Sequence, residues 1–306
     1  HLLYEGVFYL LLVLGVAVGR KELVGLAGEL HSGLGGLRLN WRSYHFWIVA
    51  LVGLGLFFNL TRALQPAHGP TDPLAYHLAL PKFYLAKHYL SFERTLTGTL
   101  YPDNMGMLYT LAIGLRNAEL AQMMHYLMGV CSLLAVWAFS RKFFGGKVGV
   151  WAVAILSFTP AFFFFTALGY VGVGLAFFQI LGFWALFNWI EDGDRRSLLL
   201  AAIFTGLAMG TKHTGCFMAV IGVAVVIGTG YFKRRVPLVV VKQVLLLGGV
   251  ALVLVLPWYA RAFWEAGNPL WPVANQLFGG LSYNSTFNVG IVSGAQDAPT
   301  PVVYRV

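Results

Sequence analysis

The sequence predicts an all-α polytopic membrane protein with about eight transmembrane helices. Of its 306 residues, 58% are hydrophobic and only 11% are charged, whereas soluble domains carry about 25% charged residues. Several apolar runs approach the length of about 20 residues that a helix needs to cross the hydrocarbon core. A membrane β-barrel would instead show short segments of alternating hydrophobicity.

Eight apolar segments are the candidate transmembrane helices. They are Leu2–Gly19, Tyr44–Leu64, Ala118–Phe139, Val148–Thr166, Gly169–Ile190, Ser197–Thr211, Gly215–Tyr231 and Gln243–Tyr259. The apolar segment Met105–Leu115 is too short to cross a membrane alone, so we expect it to be re-entrant or interfacial. The pair Gly206 and Gly210 has the small-xxx-small spacing that allows helices to pack closely in lipid.

The distribution of basic residues indicates the orientation. Thirteen of the 21 Lys and Arg residues lie in four alternate short segments, 20–43, 141–147, 191–196 and 232–242. Because Lys and Arg are enriched in cytoplasmic loops, we expect the intervening polar segments on the extracytoplasmic side. The net charge of +9 belongs to this pattern. Nucleic-acid binding would need a basic face on a soluble domain, so no nucleic-acid partner is predicted.

This topology divides the chain into three parts. Residues 1–43 form an N-terminal transmembrane helix and a cytoplasmic loop, and residues 44–260 form a transmembrane core. The core contains a long extracytoplasmic loop at 65–103, and an extracytoplasmic tail follows at 261–306. The most unusual polar residues of the chain are thus expected on one side of the membrane.

Loop 65–103 contains the first candidate site residues. Asp72 precedes Pro73, a pairing typical of a helix start with an Asp N-cap and Pro at the first helical position. The following apolar residues predict an amphipathic helix that lies along the membrane. Asp72 is also placed to act as a general base near the lipid headgroups, and the two interpretations are compatible. Tyr76 and His77 follow Asp72 closely, and Asp103 ends the loop.

A metal site is an alternative interpretation of this loop. His68, His77 and His88 accompany Asp72, but their spacing fits no zinc-binding pattern. A histidine with a hydrogen-bond partner at the interface is the favoured interpretation of His77.

Two later segments carry further candidates. The run from Gly210 to Gly215 interrupts two apolar segments and contains Lys212 and Thr214. Lys212 is either a snorkelling lysine at a tight turn or a cation for a lipid-linked phosphate. Arg261 follows the last apolar segment and could also pair with a phosphate. Asn268 lies between that segment and two prolines, in a loop expected to return toward loop 65–103.

Four motifs in this order resemble the GT-C membrane glycosyltransferases, the superfamily of the protein mannosyltransferases and the aminoarabinose transferases. They are Asp72-x-Leu74-x-Tyr76-His77-Leu78-x-x-Pro81, Tyr101-Pro102-x-Asn104-Met105-x-Met107-Leu108, Gly206-x-x-x-Gly210-Thr211-Lys212-x-Thr214-Gly215, and Pro257-Trp258 followed by Gly267-Asn268-Pro269-x-x-Pro272. They extend over most of residues 44–280.

The resemblance implies an enzyme of the bacterial cytoplasmic membrane that takes a sugar from a polyprenyl-phosphate donor, with its site on the extracytoplasmic side. Asp72 is then the candidate base, and Lys212 and Arg261 would hold the phosphate. The remaining candidate substrate-binding residues are Tyr76, His77, Asp103, Thr214 and Asn268. Membrane lipid and other membrane proteins are the expected partners. The resemblance implies no certain cofactor and leaves a divalent metal open.

Two other functions stay open. The resemblance implies acids near the positions of Gly106 and Gly172, and their absence motivates a catalytically inactive subunit of a larger membrane complex, for example respiratory or photosynthetic. Asp103 is a candidate substitute for the first of these acids. A transporter is the third alternative, because broken apolar segments and Lys212 are compatible with one, but the sequence contains no internal repeat.

Overall fold

The fold is taken from a computed structural model that describes residues 3–22, 24–25, 28, 41–67, 72–92 and 98–281. Within these ranges the backbone forms helices, turns and connecting segments, without a β-strand. The α-helices are α1 (Glu5–Val18), α2 (Tyr44–Ala63), α3 (Ala79–Lys87), α4 (Asn104–Leu115), α5 (Ala118–Phe144), α6 (Gly146–Phe158), α7 (Pro160–Thr166), α8 (Gly172–Asp192), α9 (Arg195–Met209), α10 (Cys216–Phe232), α11 (Pro237–Ala266) and α12 (Asn275–Phe278). A π-helical turn at Pro73–His77 precedes α3, and a 3-10 turn at His213–Gly215 precedes α10.

Five helical segments of the described chain are long and apolar enough to cross a membrane. They are Tyr44–Ala63, Ala118–Phe144, Gly172–Asp192, His213–Phe232 and Pro237–Ala266. Each coincides with a predicted segment, so the prediction of a helical membrane protein is confirmed. The predicted number of eight spans is not confirmed, because three segments depart from the length or the continuity that a simple span requires.

The predicted span Val148–Thr166 is broken into α6 and α7, which meet at an angle of 70°. Thr159 adopts an extended backbone conformation and Pro160 is the first residue of α7. A residue before proline is disfavoured in the α region, so α6 ends there. If the bent pair counts as one span, the described chain has six.

Two further predicted spans are short helices. Helix α1 has 14 residues and α9 has 15, and at a rise of about 1.5 Å per residue each is well short of the hydrocarbon thickness of about 30 Å. In loop 65–103, α3 forms within the region of the predicted amphipathic helix and buries Leu80, Pro81 and Tyr84. Its predicted position along a membrane surface stays a prediction.

The helices place two groups of residues at opposite ends of the bundle. At one end, Lys142 pairs with Glu191 at 3.1 Å, Lys233 donates to the carbonyl of Ile190, and the guanidinium of Arg235 lies over the Trp189 ring. We call this the basic end. The opposite ends of α8, α9 and α10 converge on a cavity and form what we call the cavity end.

Helix α9 extends from the basic end of the bundle to the cavity end, although it is short. It packs along α8 and α11 around a core that includes Trp189, Ala201 and Leu247. Because α9 begins beside the basic end and finishes at Met209, next to the cavity, it runs between both ends although it has only 15 residues. The close packing predicted for Gly206 is present, since a Cβ atom there would lie 2.9 Å from the carbonyl oxygen of Ala251.

Candidate active site

The first wall of the cavity is built by the chain from Asp72 to Leu80. Pro73 begins the π-helical turn, as predicted, but the Asp72 side chain makes no capping hydrogen bond to it within the described residues. Instead the Tyr76 hydroxyl donates to Asp72 Oδ2 at 3.3 Å. Burial, followed by the charge of Asp72, raises the pKa of the Tyr76 phenol. Tyr76 therefore stays protonated at neutral pH and can donate its hydrogen.

A cavity of about 110 Å³ lies at the cavity end. A site needs roughly 10–15 Å³ by this measure to hold one water molecule, so the cavity can accept a group of several heavy atoms. Five predicted site residues line it: Tyr76, His77, Asp103, Lys212 and Thr214. They come from segments that are more than 100 residues apart in the sequence, and the fold brings them together.

Asp103 occupies the N-terminus of α4. Its Oδ1 accepts a hydrogen bond from the backbone N–H of Gly106 at 2.9 Å, so it is the N-cap of this helix. Burial raises the pKa of the Asp103 carboxyl to about 7, although the Gly106 N–H and the nearby Arg261 act in the opposite direction. A carboxyl group with such a pKa can exchange a proton near neutral pH.

Gly106 leaves the space that the Asp103 carboxyl group fills. A Cβ atom built on Gly106 would lie 1.9 Å from Asp103 Oδ2, which is far inside van der Waals contact. A side chain at position 106 and the observed placement of Asp103 therefore exclude each other. At Gly172, by contrast, a Cβ atom would meet no atom within 4 Å. Gly172, the second glycine at which the resemblance implies an acid, therefore borders open space.

The second wall is the turn between α9 and α10. Gly215 is required there, because a Cβ atom would lie 2.1 Å from the carbonyl oxygen of Ala208. The Thr211 hydroxyl donates to Leu207 O at 2.8 Å, so that donor is already used within α9. Lys212 is exposed and has an extended backbone, and its ammonium makes no hydrogen bond or ion pair to any described residue.

His77 faces the cavity as a neutral acceptor or donor. Burial, reinforced by the neighbouring His125 and Lys212, lowers the pKa of His77 to about 3. Its ring packs at 4.1 Å from the Tyr76 ring. In its neutral form His77 adds no positive charge to the cavity.

Arg261 does not line the cavity. Its Nη2 donates to the carbonyl of Ser91 at 3.1 Å, and its guanidinium lies 5.9 Å from the centre of the Tyr84 ring. The positive charge of Arg261 lowers the pKa of the Asp103 carboxyl, against the larger effect of burial. Arg261 thus joins the last long helix to loop 65–103, and its predicted role in binding a phosphate stays a prediction.

Asn268 is fully buried and has its side chain engaged in a turn. Its Nδ2 donates to Val273 O at 2.9 Å and to Asn275 Oδ1 at 2.7 Å. Its Oδ1 accepts from the Leu270 N–H at 2.9 Å. Asn268 shapes the segment after α11, and it does not line the cavity.

Sequence reasoning missed two groups of residues at this end. Tyr101 and His213 line the cavity, and their rings are 5.8 Å apart. Asn104 is a junction of three helices, because its Nδ2 donates to Leu207 O at 3.1 Å and its Oδ1 accepts from Trp258 Nε1 at 2.8 Å. The Tyr-Pro-x-Asn motif contains Tyr101 and Asn104, but only the tertiary structure reveals their partners.

The arrangement combines three chemical capacities. Lys212 can neutralise an anion such as a phosphate, Asp103 can take a proton, and the phenol and imidazole groups can hydrogen-bond to hydroxyls. The described residues contain no group of three or more His, Cys, Asp or Glu that could hold a metal ion. A polar ligand that carries a phosphate and hydroxyl groups fits this set of side chains.

One of three comparisons with known proteins identifies a family. A family model described as dolichyl-phosphate-mannose-protein mannosyltransferase matches residues 107–260, which is half of the chain. The matched range contains Lys212 and Thr214, whereas Asp72, Tyr76 and Asp103 precede it. No curated protein and no solved structure matches the chain. The chain therefore belongs to the dolichyl-phosphate-mannose-protein mannosyltransferase family, within the GT-C superfamily of membrane glycosyltransferases.

Proposed function

We propose that this protein transfers a sugar from a polyprenyl-phosphate donor to an acceptor hydroxyl. The observation that carries the proposal is the cavity that Lys212 and Asp103 line together. Family membership supports a lipid-linked sugar as the donor. The cavity volume of about 110 Å³ suits a sugar, while the polyprenyl chain would remain in the lipid.

The reaction needs one cation and one base. The acceptor oxygen attacks the anomeric carbon, the bond from that carbon to the phosphate oxygen breaks, and the electron pair stays on the phosphate. Lys212 stabilises the negative charge of the departing phosphate, and Thr214 lies beside it as a hydroxyl donor. The proton of the acceptor hydroxyl passes to a carboxylate.

We assign the proton to Asp103, because it lines the cavity and its pKa of about 7 suits a general base. Asp72 acts indirectly, because its carboxylate accepts the hydrogen bond of the Tyr76 phenol and so orients a group that lines the cavity. The sequence-based expectation that Asp72 is itself the base stays a prediction, and variants of the two acids distinguish the assignments. Arg261 holds the loop that carries Tyr84 and Ser91, and it also favours the ionised form of Asp103.

The site is proposed to face the extracytoplasmic side of a bacterial cytoplasmic membrane. Lys142, Lys233 and Arg235 gather at the basic end, opposite the cavity. Cytoplasmic surfaces of membrane proteins are rich in Lys and Arg, which favours this orientation. With α9 as a short crossing segment, the number of crossings is compatible with the alternating loops of the sequence.

The test is sugar transfer by the purified chain in liposomes, with dolichyl phosphate mannose as the donor and released dolichyl phosphate as the readout. Lys212→Gln should reduce turnover at least tenfold, whereas Lys82→Gln, which changes an exposed lysine on α3, should leave it unchanged. Equal activity of Lys212→Gln and the unchanged protein would contradict the phosphate role.

A second comparison addresses the base. Asp103→Asn should abolish transfer, and Asp72→Asn should reduce it while some turnover remains. If Asp72→Asn is inactive and Asp103→Asn retains turnover, Asp72 is the base, as the sequence predicted. The family match does not favour the inactive subunit or the transporter, and donor turnover by the purified chain would exclude an inactive subunit.

A further inference from the structure

We infer that His213 binds a hydroxyl group of the donor sugar and so helps to select the sugar. This inference rests on the proposed function and adds a residue to the site. His213 lines the cavity together with Asp103 and Lys212. It follows Lys212 directly, but the resemblance to glycosyltransferases assigns it no role.

The His213 ring is held in one orientation. Its Nε2 lies 3.0 Å from the carbonyl oxygen of Trp271. The ring is edge-on to Tyr101, with ring centres 5.8 Å apart, and nearly parallel to Tyr259, with ring centres 6.5 Å apart. A ring fixed by a hydrogen bond and two aromatic neighbours presents its remaining nitrogen in a defined direction.

The hydrogen bond also fixes the tautomer. A carbonyl oxygen can only accept a hydrogen bond, so Nε2 of His213 must carry the hydrogen. In the neutral ring, Nδ1 then has a free lone pair and is a hydrogen-bond acceptor. Hydroxyl groups of a sugar are donors that match such an acceptor.

The position of Lys212 specifies which part of the ligand reaches His213. In a polyprenyl-phosphate sugar the anomeric carbon is bonded directly to the phosphate, so a phosphate at Lys212 keeps the sugar ring within the same cavity. Asp103 lies in that cavity as the group assigned to the acceptor proton. His213 therefore has the donor sugar as its neighbour, and the hydroxyl that it binds belongs to that sugar.

The experiment separates the contribution of the sugar from that of the phosphate. The purified chain in detergent is titrated with citronellyl phosphate and with its mannosyl and glucosyl esters. The ratio of the dissociation constants, phosphate over ester, measures what the sugar adds. His213→Gln keeps an amide N–H near the position of Nε2 and removes the acceptor at Nδ1, whereas His213→Asn places an amide oxygen near Nδ1 and loses the bond to Trp271.

His213→Gln should lower this ratio for the preferred ester by about 2- to 10-fold, the effect of one hydrogen bond, and should keep the thermal stability. Lys212→Gln should weaken the binding of the phosphate and of both esters, and it should weaken the equally charged mannosyl and glucosyl esters by the same factor. A ratio in His213→Gln equal to that of the unchanged protein overturns the inference, because a purely structural tether would give this result. Failure of the unchanged protein to bind citronellyl phosphate would instead contradict the proposed function.

Discussion

Replacing Gly106 with alanine should destabilise the protein and disturb its site at the same time. The new Cβ atom would lie 1.9 Å from Oδ2 and 2.4 Å from Oδ1 of Asp103, and contacts under 3.0 Å essentially never occur for real Cβ atoms. The Asp103 carboxyl group must therefore leave its position. The substitution removes the N-cap of α4 and displaces the proposed base in one step.

The cost follows from the interactions that are lost. The N-cap bond of α4 is the one that the Gly106 N–H donates to Asp103, and a buried backbone N–H left without this acceptor costs about 1–3 kcal/mol. Replacing glycine by alanine within a helix returns up to about 1 kcal/mol. The net destabilisation of Gly106→Ala is thus about 0–2 kcal/mol, estimated from these two opposing effects.

Gly172→Ala is the matched control. Gly172 is the first residue of α8, and a Cβ atom there would contact nothing within 4 Å. Without a steric cost, removal of a flexible glycine should leave the protein as stable as before or more stable by about 0.5–1 kcal/mol. The two substitutions are chemically identical and differ only in what the new methyl group meets.

The assay is thermal unfolding in detergent, followed by donor turnover at the same pH. Gly106→Ala should unfold on the order of 5 °C below Gly172→Ala and should lose most of its turnover. Asp103→Asn gives a third reference, because its amide oxygen can still cap Gly106 and its stability should be retained while turnover is lost. If Gly106→Ala unfolds at the temperature of Gly172→Ala with full turnover, the steric exclusion between positions 103 and 106 is refuted.

Three other predictions concern the site and its support. Turnover at low donor concentration should fall as the pH decreases through about 7, because the Asp103 pKa is raised to about 7 and the protonated carboxyl cannot accept a proton; a profile that is flat from pH 6 to 8 would exclude Asp103 as the base. Asn268→Ala should lower the unfolding free energy by about 2–4 kcal/mol, since a buried turn loses its hydrogen bonds to three groups, and chemical denaturation should detect this while phosphate binding stays intact; unchanged unfolding would contradict a structural role. Trp258→Phe removes the hydrogen bond to Asn104 and should cost about 1 kcal/mol in the same assay, whereas Trp264→Phe, at a highly exposed position, should cost nothing measurable.

Much of the fold was predictable because the lipid environment imposes simple rules. Five apolar segments became helices of spanning length, since only a continuous helix satisfies its backbone within a single apolar segment. Charge asymmetry predicts that Tyr76 and Lys212 lie on the same side of the membrane, and both line one cavity. The side of the membrane that this cavity faces stays a prediction. The break before Pro160 was missed, because the apolar run continues across it and hydropathy alone predicts one span. Pro160 itself is a signal for the break, since proline restricts the conformation of the residue before it.

The remaining features depend on partners that are distant in the sequence. Asn268 looks like a loop residue available to a ligand, and only its three buried hydrogen bonds reveal a structural role. Asp72 has the sequence position of an N-cap, yet its carboxylate accepts a hydrogen bond from the Tyr76 hydroxyl instead. Local propensity cannot decide between such partners, because the choice is made by tertiary geometry.

The contact between Arg261 and Ser91 has a consequence for the order in which the protein is made. The two residues are 170 positions apart, so at a synthesis rate of about 5–20 residues per second the first wall of the cavity exists for roughly 10–30 s before its support is translated. The hydrogen bond that fixes the His213 ring likewise cannot form until Trp271 has been synthesised. The growing chain therefore carries an unfinished site through most of its insertion, and the site can act only when the segment after α11 has been synthesised and has folded back.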